Sequence, residues 1–324
     1  MKKIFLAFLA ILFILSGRAY PGIGEAETFY KEGKLDEAFS EYKKILPDLK
    51  PIQAYSYMTR VAGAYVKQNN FQKAEEVYRT VLGIEGLTSS QKGTAQFLVG
   101  HYLYSQKKYE EAIAEYKKLD DIKEMPQSQR ADAQRHIGHS YRLLGRTEEA
   151  LAEYRKTFEI KGAHPPHLAN TQFVIASITK KEDDYVKVFE MAGAQIGDLR
   201  AVYRVVKDKS RLVPGYVMQL KTNSAKEDLV KLGAQDAILA REALRQLPGD
   251  EMVVSGLLSA ARIEDMPDRE EASLLVDIWQ AHAEKSDSGP GSIKIVEDVS
   301  GRLNALLGKV SSVQEARKKI ESMK

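Results

Sequence analysis

The side chains most able to do chemistry in this sequence are its six histidines and a few paired acids. His136 and His139 stand three residues apart, a spacing that on a helix turns both rings to one side and could hold a metal ion. No carboxylate or third imidazole at ligand spacing joins them on that stretch. The expectation is therefore two surface or groove histidines and no metal. His164 and His167 bracket Pro165 and Pro166, which makes a rigid turn carrying two exposed rings. The acid pairs Asp120-Asp121 and Asp183-Asp184 fall in predicted turns and helix starts, where carboxylates are favoured without any acid–base role. Ser255-Gly256 lacks the flanking glycines of a nucleophile elbow and lies in an apolar helical run, so it reads as packing. No His-Glu-x-x-His, phosphate-cradling glycine loop or dinucleotide fingerprint occurs. With no cysteine, disulfides, thiolate metal sites and thiol catalysis fall away together. The lone Trp279, beside Leu275 and Ile278, reads as core. These residues predict a protein that is not an enzyme and needs no cofactor.

The elements that must carry these side chains repeat. Glu37-Ala38-Phe39-Ser40-Glu41-Tyr42-Lys43-Lys44 returns as Lys73-Ala74-Glu75-Glu76-Val77-Tyr78-Arg79. It comes back again as Glu111-Ala112-Ile113-Ala114-Glu115-Tyr116-Lys117-Lys118 and as Glu149-Ala150-Leu151-Ala152-Glu153-Tyr154-Arg155-Lys156. The repeated alanines, 38, 74, 112 and 150, are spaced by 36, 38 and 38 residues. A fixed period of this size marks units that stack because one alone cannot bury its apolar face. Twelve residues before each alanine stands another small residue, namely Ala26, Ala62, Gly100 and Gly138. Apolar residues around it recur at three- and four-residue steps, as in Met58, Val61, Ala62, Tyr65 and Val66, which is the period of an amphipathic helix. Short breakers, Glu32-Gly33-Lys34, Gln68-Asn69-Asn70, Gln106-Lys107-Lys108 and Leu144-Gly145-Arg146, separate the two stretches. Each unit thus predicts helix, tight turn, helix, with the small residues letting two backbones approach and the tyrosines filling the space beside them.

This pattern resembles the tetratricopeptide repeat family. The likeness rests on the small residue of the first helix, the aromatic or leucine three later (Phe29, Tyr65, Leu103, Tyr141), the alanine 12 on, and Tyr42, Tyr78, Tyr116 or Tyr154 four further. Pro47 and Pro126 lie near unit ends, where that family often places a proline. The spacing exceeds the family's usual 34, and the tryptophan-like position is held by Met58, Gln96 and Gln134. The resemblance covers residues 20–162, as repeats at about 20–51, 55–88, 93–126 and 131–164. It implies an all-α solenoid whose first helices line a concave groove for partners. Carried onto this chain, the inward positions are Thr59, Gly63 and Val66, then Phe97, His101 and Tyr104, then Arg135, His139 and Arg142. Such a wall suits an extended or helical segment with an apolar or aromatic anchor and an acidic end. The lysine and asparagine pattern that clamps a terminal carboxylate in some members is missing, since Glu27 and Gly63 hold those places.

Met1-Lys2-Lys3, an apolar run from Ile4 to Leu15 and the exit Gly17-Arg18-Ala19 have the form of a secretory signal peptide spanning residues 1–19. The run is too short for a membrane span, which takes about 20 apolar residues. Leu15-Ser16-Gly17 is followed by Arg18 where a lipoprotein would place cysteine, so no lipid anchor and no stable membrane insertion are expected. Removing Lys2, Lys3 and Arg18 leaves 45 of the 48 basic side chains against 45 acidic ones. A balanced surface lacks the summed basic field that nucleic-acid binding needs. The absence of any Asn-x-Ser/Thr acceptor and the short leader favour a bacterial periplasm, with partners among the proteins of the cell envelope.

Past Pro165 the clean repetition stops, and the consecutive prolines mark a boundary or a bend. Leu168–Ile178 and Tyr185–Ile196, with Ala176 and Val188 again 12 apart, fit a degenerate fifth unit. Further helices are predicted over 225–232, 237–247, 252–263 and 269–282, with Pro214, Pro248 and Pro267 as punctuation. Ser224 and Glu227 have the form of a capping box. Residues 165–285 thus read as divergent helical repeats or a helical domain, 286–292 as a linker and 293–324 as a helical cap. The whole predicts a non-catalytic interaction scaffold. Two rivals stand beside it: a docking arm of an envelope enzyme with its site in the second half, and a self-assembling structural protein.

Overall fold

The computed structural model describes residues 22–258, 267–283 and 290–323. The leader at 1–19 and the greater part of the linker, 286–289, fall outside them. Among the described residues the chain forms eighteen α-helices and no strand. It divides into two compact units, one ending at His164 and the other beginning at Pro165. The fold is an all-α solenoid of helix-turn-helix pairs followed by divergent helical pairs.

The first unit contains α1 (Ile23–Lys31), α2 (Leu35–Ile45), α3 (Pro51–Lys67), α4 (Phe71–Leu82), α5 (Ser89–Ser105), α6 (Tyr109–Lys117), α7 (Gln127–Leu143) and α8 (Thr147–Thr157). Each packs chiefly on its sequence neighbours, and α5 also packs on α7. In α2 the buried residues are Leu35, Ala38, Phe39, Tyr42 and Ile45, a stripe at three- and four-residue steps. Local signals set the ends. Asn70 accepts the Lys73 amide at 3.1 Å, and Thr88 and Gln91 bond each other's backbone in a capping box. Pro51 opens α3 at a position where its missing N–H costs nothing.

One turn is used throughout. Gly33, Asn69, Lys107 and Gly145 are all left-handed, with φ of 76°, 57°, 63° and 76°. After each, the next amide reaches back five residues at 2.9 Å, as Lys34 N to Phe29 O, Asn70 N to Tyr65 O, Lys108 N to Leu103 O and Arg146 N to Tyr141 O. These are the long bonds of a Schellman motif, which satisfies carbonyls at a helix end and sends the chain straight into the next helix.

Small residues and tyrosines then lock each pair. A Cβ placed at Gly100 would lie 2.8 Å from the Tyr116 ring, and one at Gly138 would lie 2.6 Å from Tyr154. In the first two pairs alanines hold the equivalent places, with Ala26, Ala38, Ala62 and Ala74 wholly buried beside Tyr42 and Tyr78. Ala112 and Ala150 are likewise wholly buried. Gln96 and Gln134, at the place the family gives a large aromatic, instead donate to the carboxylates of Glu115 and Glu153 on the facing helix. Glu115 also accepts from Arg79 at 2.9 Å and Lys118 at 2.7 Å, so it joins three helices.

The second unit contains α9 (Pro165–Thr179), α10 (Glu182–Phe189), α11 (Ile196–Val205), α12 (Val213–Thr222), α13 (Lys226–Gly233), α14 (Ala237–Gln246), α15 (Glu251–Leu258), α16 (Asp268–Ala283), α17 (Pro290–Leu307) and α18 (Val313–Ser322). Its first pair turns at Lys180, left-handed at φ 58°, but here the next amide, of Lys181, meets Thr179 Oγ1 at 3.4 Å; Ala176 and Val188 are wholly buried. Beyond it, α12 packs on α14 and α13 on α15, so alternate helices stack. A continuous apolar core running from Ala169 to Ala316 holds the unit together, and Trp279 packs at its edge.

Five local expectations differ from the structure here. The helix from Glu182 stops at Phe189 rather than 196, and α11 and α12 occupy a stretch read as unassigned. Pro214 lies inside the first turn of α12 instead of breaking it, because a proline there loses no intrahelical bond. Ser224 and Glu227 form no capping box. Asn223 Oδ1 takes the Ala225 amide at 2.9 Å, and α13 starts without a side-chain cap. Pro290, Gly291 and Ser292 open α17 and are not linker.

Candidate partner-binding groove

The nine groove positions lie on three first helices: Thr59, Gly63 and Val66 on α3, Phe97, His101 and Tyr104 on α5, and Arg135, His139 and Arg142 on α7. The structure joins those of α5 and α7 through their rings. Phe97 stacks on His101 at 6.3 Å between ring centroids. The link to α7 is His136, whose ring meets Phe97 at 6.0 Å, His101 at 5.6 Å and Tyr104 at 5.4 Å, all edge-on. Beneath it lies the Tyr116 ring, stacked at 5.6 Å, and beside it His139 at 6.0 Å. By contrast, Thr59 donates only to the Ser56 carbonyl of its own helix at 3.1 Å. Gly63 is exposed and opens onto empty space.

His136 is thus the hub of the cluster, and the inward positions carried over from the family had omitted it. Its signal in the sequence is the three-residue step to His139, which gives two surface or groove histidines on one helix. Among the described residues no group of three or more His, Cys, Asp or Glu side chains is placed to hold a metal ion.

Below the groove, one position after each small residue faces the tyrosine 15 residues on, and the four units fill this pair differently. Glu27 accepts from the Tyr42 hydroxyl at 2.6 Å and from Arg60 at 2.8 Å, while Arg60 covers the Tyr30 ring at 4.5 Å. Burial opposes the charge on Glu27, but the hydrogen bonds from Tyr42 and Arg60 hold its carboxyl below the usual range. In the second unit Gly63 offers nothing, and Tyr78 stacks on Tyr102 at 5.8 Å. In the third, His101 Nδ1 and the Tyr116 hydroxyl are both buried with no hydrogen-bond partner. In the fourth, His139 Nδ1 and the Tyr154 hydroxyl lie 2.7 Å apart.

The fourth pair fixes a tautomer. Arg135 Nη1 is 3.0 Å from His139 Nε2, and a guanidinium can only donate, so Nε2 carries the lone pair. Burial, with Arg135 and Arg142 adding like charge, pushes His139 down to about 4, so the ring is neutral at pH 7. Its one proton therefore sits on Nδ1 and is given to the Tyr154 oxygen. His101 is held low as well, by burial. Tyr154 is pushed up to about 12, chiefly by burial. The charge beside His139 comes from Arg135 and Arg142.

Tetratricopeptide repeat models match residues 62–128 and 131–164, which contain the whole cluster. The first unit carries tetratricopeptide repeats. Repeats of this family form protein-interaction scaffolds and are typically non-catalytic. Solved structures that the chain is similar to include the apo form of RapI, 16% identical over 94% of this chain and 99% of that one, with a TM-score of 0.39. The C-terminal part of a tetratricopeptide repeat protein from Cytophaga hutchinsonii is 14% identical over 90% and 98%, with a TM-score of 0.35. A tetratricopeptide repeat protein from Parabacteroides merdae is 16% identical over 83% and 98%, also at 0.35. No curated protein matches the chain. Among the described residues of this repeat protein, no helix is long and apolar enough to cross a membrane.

Proposed function

We propose that this protein is a non-catalytic adaptor of the bacterial periplasm that holds a segment of another envelope protein in the groove of its first unit. The observation that carries the reading is the continuous ring cluster of Phe97, His101, Tyr104, His136 and His139 across two helices. These side chains are half-buried, so they keep apolar and aromatic surface open to a partner without collapsing into the core. Aromatic rings with Arg beside them are the side chains that most often dominate the energetics of an interface. The leader-like start at residues 1–19 supports export to an envelope compartment.

In-cell cross-linking and mass spectrometry of the whole protein, run beside Phe97→Ala/Tyr104→Ala/Arg135→Glu, tests the adaptor role. Discrete partners lost in the variant support it. Partners that survive would move the site off this groove, and no partner at all would sink the adaptor reading. Fractionation of the same cells tests the compartment, and recovery in the cytoplasm with residues 1–19 still attached would overturn it.

A further inference from the structure

Arg135 and Arg142 lie seven residues apart on α7, two helical turns, and so share one face with His139 between them. Arg142 is exposed and Arg135 is half-buried. The Nε–H of Arg135 is buried with no hydrogen-bond partner, while its terminal nitrogens reach His139 at 3.0 Å and Asp132 at 3.6 Å. Asp132 offsets part of the Arg135 charge. Among the described residues no carboxylate is paired with Arg142, which donates instead to the Tyr154 hydroxyl, and the charges that act on His139 come from the two guanidiniums. Tyr154 orients His139, and His139 Nε2 in turn accepts from Arg135, so the guanidinium is held from below rather than sweeping through solvent.

We propose, on the strength of the groove reading above, that Arg135 and Arg142 form a subsite for one acidic side chain of the docked segment, next to an apolar or aromatic side chain seated on Phe97, His101 and Tyr104. Paired guanidiniums on one helix face repel each other unless an anion lies between them, and their forked donors match a carboxylate. Because Arg142 is exposed, the subsite is open rather than a blind socket, so a passing chain meets it with a side chain instead of a chain end. The spacing follows from the helices. Packed helix axes stand about 8–10 Å apart and extended chain advances about 3.3 Å per residue, so the anchor and the acid are about three residues apart. His139 serves as a positioning residue, since it aims Arg135 without needing to touch the partner.

The test is selection of random peptides, displayed with their carboxyl ends fused to the carrier, on the whole protein. Enriched sequences are expected to carry Asp or Glu about three residues from an aromatic or aliphatic anchor. Replacing that acid by its amide in a synthetic peptide should weaken binding roughly tenfold or more, and Arg142→Gln should abolish the difference. Arg142→Glu should reverse the preference toward Lys, a gain that misfolding cannot imitate. Anchored peptides with no acid, or an amide penalty unchanged in Arg142→Gln, would overturn the subsite and leave the groove standing. No enrichment, or peptides indifferent to Phe97→Ala, would overturn the groove and the subsite with it.

Discussion

Gly138 lies so close under the ring of Tyr154 that a methyl group there would sit 2.6 Å from it. That distance is well inside van der Waals contact, and neither residue can retreat, since Tyr154 is wholly buried. Gly138→Ala should therefore destabilise the first unit by about 1–2 kcal/mol. Overpacking of about 1–3 kcal/mol outweighs the gain of up to about 1 kcal/mol from helix propensity. Chemical denaturation reads the change, and a variant as stable as the parent would show that the helix pair is not closed on this contact. Ala112→Asp, which buries a charge at the same kind of crossing, should cost more, on the order of 2–4 kcal/mol.

Lys107 holds a left-handed turn that Gly33 and Gly145 hold in sister units. A side chain in that conformation costs roughly 1–2 kcal/mol, and glycine gives back about 0.5–1 kcal/mol in chain entropy. Lys107→Gly should stabilise the protein by about 0.5–1 kcal/mol, seen as a rise in Tm. A fall would mean that the Lys107 side chain, not its backbone, matters at this turn.

His139 makes stability depend on pH. In the folded chain its pKa lies at about 4, against about 6.5 for a free imidazole. The unfolded chain therefore binds more protons between these values, and stability falls as pH drops from 6.5 toward 4. At pH 5 this linkage amounts to about 2 kcal/mol relative to pH 7. His139→Gln should flatten the profile in that window, and an equally steep loss in the variant would assign the effect to other groups.

Glu115 collects donors from Arg79, Gln96 and Lys118 while itself nearly buried. Removing Gln96 as Gln96→Leu strips one donor from a buried carboxylate and should cost about 1–3 kcal/mol. The double variant Gln96→Leu/Glu115→Met should recover part of it, because an apolar pair leaves no charge behind. No recovery would show that Gln96 acts by shape alone.

What the sequence revealed was uneven, for physical reasons. The hairpins of the first unit were legible because close packing forces small residues at 100, 112, 138 and 150, and small residues leave a spacing that survives divergence. The turns were half legible. Gly33 and Gly145 announce a left-handed residue, but Lys107 and Lys180 do not, since their tolerance comes from the surrounding bonds. His136 escaped the groove because it faces its neighbours from one helical turn before the position the family uses. In the second unit α11 and α12 were unread, as Pro214 looks like a breaker until its place in a first turn is known. Gln96 and Gln134 looked like weak packing until the carboxylates they bond were located on the facing helix.

The repeated turn has a kinetic consequence. Each hairpin of the first unit closes through a bond spanning five residues and a ring packed 16 residues from its small partner, as Gly100 to Tyr116 and Gly138 to Tyr154. Contacts this local cost little loop entropy, so folding should be fast and can begin at any hairpin and spread to its neighbours. A chain emerging from its amino end can therefore complete one hairpin before the next 36 to 38 residues arrive. At no stage need more than one unfinished apolar face be left open to misassembly.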